Sequence, residues 1–121
     1  MKRLILDLDN TICNTDNGDY KNSIPVQSVI DRIHQYKKKG FEIVISTSRN
    51  IRTYENNLGK INANTLPIII DWLNEHNVPY DEIYVGKPWC GSDGFYVDDK
   101  SIRPNEFVEM EYEQISTMLK A

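Results

Sequence analysis

The chain opens with a short apolar run that carries two carboxylates one residue apart, Leu4-Ile5-Leu6-Asp7-Leu8-Asp9. Short runs of Ile and Leu are typical of buried strands, and this one predicts a strand over residues 3–8. In open parallel α/β sheets, ligands bind beyond the carboxyl ends of the strands. We therefore expect Asp7 and Asp9 to lie at a sheet edge where a binding site forms.

Strands and helices are predicted to alternate along the rest of the chain. Apolar and β-branched runs predict further strands at residues 41–46, 82–85 and 95–97, with a weaker candidate at 107–108. Apolar residues at helical spacing predict three helices, at residues 25–40, 65–77 and 109–119. Pro25 is expected in the first turn of the first helix, and Thr65 is expected to cap the second. This alternation favours an α/β fold built on a parallel sheet.

Two polar segments separate these elements. Asn17-Gly18 is a strong turn signal, so residues 13–25 are predicted to form a small hairpin or flap. Residues 50–64 lack a clean period and are predicted to form an irregular loop with at most one helical turn. The link between Val85 and Phe95 is short for a helical crossover and is expected to be extended.

Composition restricts the possible classes of function. The 121 residues fit one domain, residues 1–121, and the net charge of −4 argues against general affinity for nucleic acid. Cys13 and Cys90 form no CxxC pair and are expected to be free thiols in a reducing compartment. Because charge interrupts the first apolar run, we expect neither a signal peptide nor a membrane partner. The expected protein is cytoplasmic.

Polar side chains follow each predicted strand. They are Asp7, Asp9 and Thr11, then Thr47, Ser48 and Arg49, then Lys87, and finally Asp98 and Asp99. Because the carboxyl ends of parallel strands share one edge of a sheet, we expect these side chains to lie close together. Four carboxylates would repel one another unless a cation lies between them, and Mg²⁺ prefers oxygen ligands of this kind. The hydroxyls and the lysine suit the oxygens of a phosphoryl group.

Together these residues resemble the four motifs of the haloacid dehalogenase (HAD) superfamily, in the family's order. The motifs are Asp7-Leu8-Asp9-Asn10-Thr11, Thr47 after a strand, Lys87, and Asp98-Asp99 after a strand. The resemblance implies an HAD-like Rossmannoid three-layer fold with a central, mostly parallel sheet. The family usually has a separate cap domain, but we expect none here because the 121 residues leave no room for one. Residues 46–50 and 86–91 further resemble small phosphatase-like proteins found with capsular polysaccharide biosynthesis.

The resemblance also implies a mechanism. Asp7 would attack phosphorus and form a phosphoaspartyl intermediate, while Asp9 would protonate the leaving alcohol and then deprotonate water. Thr47 would bind a phosphoryl oxygen, and Lys87 would offset the charge of the transferring group. The implied ligands of Mg²⁺ are Asp7, Asp9, Asp98 and Asp99, with the backbone carbonyl of Asp9 also in contact with the metal. A structural ion pair is the alternative for Asp99.

The implied reaction is Mg²⁺-dependent hydrolysis of a phosphomonoester of a small metabolite, such as a sugar phosphate used for capsule or surface polysaccharide. The candidate substrate-binding residues are Thr11, Ser48, Arg49, Arg52 and Lys60. Of these, Thr11 is expected to brace the first loop. Without a cap domain, residues 13–25, residues 50–64 or a neighbouring subunit of a homo-oligomer would cover the site.

Two other functions remain open from the sequence. A phosphoacceptor signalling module of the receiver type also uses acids, a hydroxyl, a lysine and Mg²⁺. Receivers place their acidic pair before the phosphorylated aspartate, whereas here Asp98-Asp99 comes last. The second alternative is a non-enzymatic binding module on the same fold, and the intact motif residues argue against it. Trp89 has two interpretations, stacking on a sugar ring or packing under its own loop.

Overall fold

The computed structural model describes residues 1–120 and divides into two compact units, Met1–Trp89 and a second from Cys90 onward. In chain order the first unit contains β1 (Arg3–Leu6), β2 (Cys13–Asn14), β3 (Ile24–Pro25), α1 (Gln27–Lys38), β4 (Glu42–Ser46), α2 (Leu58–Asn64), α3 (Leu66–Glu75) and β5 (Glu82–Tyr84). The second contains α4 (Pro104–Glu109) and α5 (Tyr112–Lys120). No helix within residues 1–120 is both long and apolar enough to cross a bilayer.

A three-stranded parallel sheet in the order β1-β4-β5 forms the centre of the first unit. Leu6 pairs with Ile45, and Ile45 pairs with Ile83 on the other side. The central strand is fully enclosed, with Ile43, Val44 and Ile45 at most 1% exposed. A continuous apolar strand of this kind is expected where both faces of a parallel sheet are covered. The predicted α/β fold with a central parallel sheet is confirmed.

The first strand is shorter than predicted, because it ends at Leu6 rather than at residue 8. The carbonyl of Leu8 accepts the N–H groups of Ile12 at 2.9 Å and Cys13 at 3.2 Å, so the chain folds into a compact turn. Asn10 has a φ of 63°, a left-handed conformation that Asn tolerates better than most residues. Asp7 and Asp9 therefore lie beyond the strand.

Residues 13–25 form the predicted hairpin. Strands β2 and β3 are antiparallel, and a 3₁₀ turn at Tyr20–Asn22 lies between them. Trp72 of α3 donates its Nε1–H to the carbonyl of Ser23 at 2.9 Å, which fastens this hairpin to the helix. Pro25 pairs with Cys13 in the ladder, so the expectation that Pro25 starts α1 is wrong.

Helix α1 ends at Lys38, and Gly40 follows the C-cap in a left-handed conformation with a φ of 91°, as the sequence predicts for the end of this helix. The ammonium of Lys37 lies 2.8 Å from the carboxylate of Asp81. Asp81 also accepts the N–H of Ile43 at 2.8 Å. One exposed carboxylate thus connects the end of α1, the start of β4 and the loop before β5.

Residues 50–64 are more ordered than the sequence suggests. The prediction of an irregular loop is wrong over α2, where the Asn57 side chain caps the helix by accepting the N–H of Lys60 at 3.1 Å. Ile61 anchors this helix and is fully buried. Thr65 does not cap α3 with its side chain, because its hydroxyl donates to Oδ1 of Asn50 at 2.8 Å.

The second unit, taken by itself, differs most from the predictions. Residues 107–108 lie in α4 and not in a strand, since Pro104 occupies the first turn and Glu106 accepts the N–H of Arg103 at 2.8 Å. Residues 95–97 form no strand, and the link from Val85 onward is non-helical. A three-residue run is too short to hold strand geometry without a ladder partner. The predicted terminal helix is present as α5.

Candidate active site

The site begins where β1 and β5 end. Asp7 directly follows β1, and Lys87 follows β5 by three residues. The Nζ of Lys87 lies 3.9 Å from Oδ1 of Asp7. The backbone holds Lys87 in place, since Thr47 donates its N–H to Tyr84 at 2.9 Å and accepts that of Lys87 at 3.1 Å. These bonds continue the pairing of β4 and β5 beyond the ends of the strands.

Asp7 has the carboxylate that is available for chemistry at this edge. Its side chain is 39% exposed, and Oδ1 accepts the N–H of Leu8 at 2.9 Å. Partial burial raises the pKa of Asp7 above its usual value, while the nearby Lys87 ammonium and the Leu8 N–H oppose that rise. The charge on Asp7 is therefore only partly compensated within the protein.

Asp9 has a different environment from Asp7. Arg49 engages both of its oxygens, with Nη2 2.8 Å from Oδ1 and Nε 3.1 Å from Oδ2. The Arg49 side chain is 2% exposed and that of Asp9 is 28% exposed. Arg49 is among the predicted substrate-binding residues; the structure instead encloses its guanidinium and gives it a carboxylate partner.

The hairpin of residues 13–25 encloses this ion pair. The ring of Tyr20 lies against the Arg49 guanidinium, 4.2 Å from its central carbon. Thr15 donates its hydroxyl to Oδ1 of Asp9 at 3.2 Å and lies 2.6 Å from the hydroxyl of Ser23. Burial raises the pKa of the Tyr20 hydroxyl, and the charge of Asp9 adds to the rise.

The thiol of Cys13 lies beneath the same pair. Burial raises the pKa of this thiol to about 11, with a further contribution from Asp9. The thiol donates weakly to the carbonyl of Leu8 at 3.7 Å and to Oδ1 of Asp9 at 3.6 Å. Cys13 therefore stays protonated near neutral pH and acts as a small packing residue rather than a nucleophile.

The hydroxyl-bearing candidates lie in the turns after β1 and β4. Thr47 is 1% exposed, and its hydroxyl oxygen accepts the N–H of Arg49 at 3.1 Å. The hydroxyl hydrogen of Thr47 remains able to donate. Ser48 is half-buried, and its carbonyl accepts the N–H of Ile51. Thr11 is half-buried in the turn around Leu8.

Arg52 and Lys60 are both exposed and belong to the segment after β4. The Arg52 guanidinium lies 4.8 Å from the ring centroid of Trp89, which follows Lys87 by two residues. Trp89 is predicted either to stack on a sugar ring or to pack under its own loop. In the structure its ring is 42% exposed and is partly covered by the Arg52 guanidinium. Lys60 contributes its backbone N–H to the cap of α2.

Asp98 and Asp99 belong to the second unit, where both are exposed. Oδ1 of Asp98 accepts the N–H of Lys100 at 2.9 Å, as in a local turn. Within either unit, as far as residue 120, no three His, Cys, Asp or Glu side chains converge on one point. The assignment of Asp98 and Asp99 as metal ligands stays a prediction from the sequence.

The donor atoms at the Asp7 edge suit a hard divalent cation. The Asp7 carboxylate is partly exposed and incompletely neutralised, and carboxylate oxygens are ligands that Mg²⁺ prefers. Arg49 already engages both side-chain oxygens of Asp9. Asp7 therefore fits Mg²⁺ through its side chain, whereas for Asp9 the backbone carbonyl is the better donor.

Sequence reasoning missed the three hairpin residues around Asp9, which are Cys13, Thr15 and Tyr20. Tyr20 is the one aromatic residue of the 13–25 segment, and that was the available signal. An aromatic residue in an otherwise polar hairpin is more easily explained if its ring packs over a neighbouring side chain.

Comparisons with known proteins identify the family of the chain. A model of haloacid dehalogenase-like hydrolases matches residues 4–74. A crystal structure from Vibrio cholerae is 57% identical over 99% of this chain and 98% of that chain, with a TM-score of 0.97. The Pnkp1/Rnl/Hen1 complex matches 89% of this chain with 33% of its own at 18% identity and a TM-score of 0.51, which shows a shared fold alone. No curated protein matches the chain. On the family match, the chain belongs to the haloacid dehalogenase-like hydrolases.

Proposed function

We propose that the protein is a Mg²⁺-dependent phosphomonoester hydrolase that works through a phosphoaspartyl intermediate on Asp7. The observation that carries this proposal is the partly exposed Asp7 carboxylate with the Lys87 ammonium 3.9 Å away, beyond the ends of parallel strands. A carboxylate is a competent nucleophile toward phosphorus when cations offset its repulsion by the phosphate. Family membership supports hydrolysis as the reaction type.

In the first half of the reaction, an oxygen of Asp7 forms a bond to phosphorus as the ester bond breaks. Asp9 protonates the departing alcohol, which is the role of a general acid. Lys87 neutralises charge on the transferring group, and the Thr47 hydroxyl donates to one of its oxygens. In the second half, Asp9 takes a proton from water as the water oxygen displaces Asp7 from phosphorus.

The proposed ligands of Mg²⁺ remain Asp7, Asp9, Asp98 and Asp99. Of these, Asp7 has the strongest support, because its carboxylate is partly exposed and incompletely neutralised. When bound, the ion would stabilise negative charge on the phosphoryl oxygens. Its absence should leave the Asp7 carboxylate too repulsive toward a phosphate dianion for rapid attack. Chelation with EDTA should therefore abolish turnover, and added Mg²⁺ should restore it.

We further propose a small phosphorylated metabolite as substrate, with a sugar phosphate of capsule or surface polysaccharide synthesis as the leading candidate. The narrower sequence resemblance supports this choice. The exposed guanidinium of Arg52 over Trp89, two residues along the chain from Lys87, offers a flat surface and a charge that such a substrate could contact. Lys60 and Ser48 remain candidates for further contacts, and a second subunit remains a candidate cover.

The test is phosphate release from p-nitrophenyl phosphate and from a panel of sugar phosphates, nucleotides and phospho-acids, with and without Mg²⁺. Turnover that requires Mg²⁺ and disappears in Asp7→Asn would support the proposal. A matched control is Asp71→Asn, on the exposed side of α3, which should keep full activity. Full activity in Asp7→Asn would contradict it, and a labile aspartyl phosphate without turnover would favour the signalling alternative.

A further inference from the structure

We propose that Arg49 is a positioning residue, which orients the carboxylate of Asp9 so that one particular oxygen, Oδ2, exchanges the proton of the reaction. This inference rests on the proposed phosphatase function and deepens it. It also gives the buried arginine a role other than the substrate contact that was expected of it.

The two oxygens of Asp9 differ in the number of donors that face them. Oδ1 lies 2.8 Å from Nη2 of Arg49, 3.2 Å from the Thr15 hydroxyl and 3.6 Å from the Cys13 thiol. Oδ2 lies 3.1 Å from Nε of Arg49 and has no second donor within residues 1–120. A carboxylate oxygen has two lone pairs, so Oδ2 keeps one for a proton and Oδ1 does not.

Arg49 can orient Asp9 because it is itself held in place. Its side chain is 2% exposed, and its guanidinium packs on the ring of Tyr20 at 4.2 Å. A bidentate pair of this kind fixes the plane of the carboxylate as well as its position. Lysine at position 49 would keep the positive charge but would offer a single point donor in place of the planar fork.

The third guanidinium nitrogen of Arg49 strengthens this argument. Nη1 is buried and has no hydrogen-bond partner within residues 1–120. A buried donor without a partner is unfavourable for folding. The two nitrogens of Arg49 that do have a partner both face Asp9.

The orientation matters for the steps in which a proton moves. As the bond from Asp7 to phosphorus forms and the ester bond breaks, the proton on Oδ2 moves to the departing oxygen. As water then bonds to phosphorus and Asp7 leaves, one water proton returns to Oδ2. Water is the one reactant consumed besides the ester, and Asp9 ends in its starting state. A carboxylate free to rotate would present Oδ2 to the leaving oxygen less often.

The experiment compares kcat/KM for two esters of similar shape, p-nitrophenyl phosphate and phenyl phosphate, in the presence of Mg²⁺. The constant kcat/KM reports the steps up to release of the phenol, and nitrophenol is the better leaving group because it needs less protonation. We expect Arg49→Lys and Asp9→Asn each to lower kcat/KM for phenyl phosphate at least about tenfold more than for p-nitrophenyl phosphate. The double variant should lose little more than either single variant.

The matched control is Arg32→Lys, an arginine of α1 that bonds to Gln35 of the same helix. It should leave both values of kcat/KM unchanged. A purely structural role for Arg49 would lower the two values by the same factor. That outcome would overturn the inference while leaving the phosphatase proposal intact, whereas absence of turnover in the wild-type protein would overturn the phosphatase proposal itself.

A second measurement does not depend on an Arg49 variant that folds. In wild-type protein, the Nε–H of Arg49 should give a slowly exchanging proton resonance by NMR, because it is buried and bonded to Oδ2. In Asp9→Asn, where the charge is gone and the volume is kept, this proton should exchange at least about tenfold faster. An Nε–H that exchanges rapidly in the wild-type protein would refute the positioning role.

Discussion

We predict that Gly86→Ala will destabilise the protein through two separable costs. Gly86 has a φ of +81°, a left-handed conformation that costs an L-residue roughly 1–2 kcal/mol. A Cβ at this position would also overlap Cδ2 of Leu58. Leu58 is 51% exposed and can move outward, so the steric cost should be about 1 kcal/mol, at the lower end for overpacking. The sum is roughly 2–3 kcal/mol.

Gly40 provides a matched control. Its φ of +91° is similar, but the space that a Cβ would occupy is open. Gly40→Ala should therefore lose only the conformational part, roughly 1–2 kcal/mol. Placing Gly86→Ala in a Leu58→Ala background should remove the steric part, so that the two glycine substitutions become equivalent there. Urea denaturation, with m unchanged, measures each free energy of unfolding.

The same substitution should affect the site, because Gly86 adjoins Lys87. A shift of this loop would move the ammonium that lies 3.9 Å from Asp7. We expect Gly86→Ala to lower kcat/KM for p-nitrophenyl phosphate, Leu58→Ala to restore part of the loss, and Gly40→Ala to have no effect. A loss of stability in Gly86→Ala no larger than in Gly40→Ala, or a difference that Leu58→Ala fails to reduce, would show that Leu58 does not obstruct a side chain at position 86.

Three further predictions concern other contacts. The pKa of Asp81 is lowered by its bonds to Lys37 and a backbone N–H, so its stabilisation should be complete above the ordinary value of 3.8 and disappear as pH falls through the lowered pKa. Asp81→Asn should therefore cost about 0.5–1 kcal/mol in urea at pH 7, and the cost should shrink steadily as pH falls below 3.8. Trp72→Phe removes the donor to the buried Ser23 carbonyl, which should cost about 1–3 kcal/mol and speed hydrogen exchange in residues 13–25. Burial raises the pKa of Asp7, so in the absence of metal the ionised Asp7 lowers the stability of the folded state as pH rises above 3.8. Asp7→Asn should therefore raise Tm at pH 7, and only the wild-type protein should gain Tm when Mg²⁺ is added. A Tm gain of equal size in Asp7→Asn would contradict the last of these.

The approach of Asp7 to Lys87 could be predicted from the sequence because it depends on topology. Residues that follow parallel strands of one sheet share an edge, whatever the loops between them do. The central strand was equally predictable, because Ile43 to Ile45 form a continuous apolar run. Those features follow from hydrophobic pattern alone.

The partner of Arg49 could not be predicted, because it depends on the turn that follows β1. That turn is held by bonds to the Leu8 carbonyl, which sequence pattern does not reveal. Short elements also depend on single polar contacts. The cap at Asn57 marks the start of the helix over residues 58–64, and the bond from Arg103 to Glu106 marks the start of the helix that contains residues 107–108.

The environment of Cys13 has a consequence for how the protein responds to reagents. A thiol with no exposed surface and a pKa of about 11 provides almost no thiolate for iodoacetamide or peroxide to attack. If Asp7 is the nucleophile, as we propose, the reaction would proceed under oxidising stress that inactivates phosphatases with a cysteine nucleophile. The rate at which Cys13 is alkylated, followed by mass spectrometry, would therefore report how often the β2–β3 ladder opens.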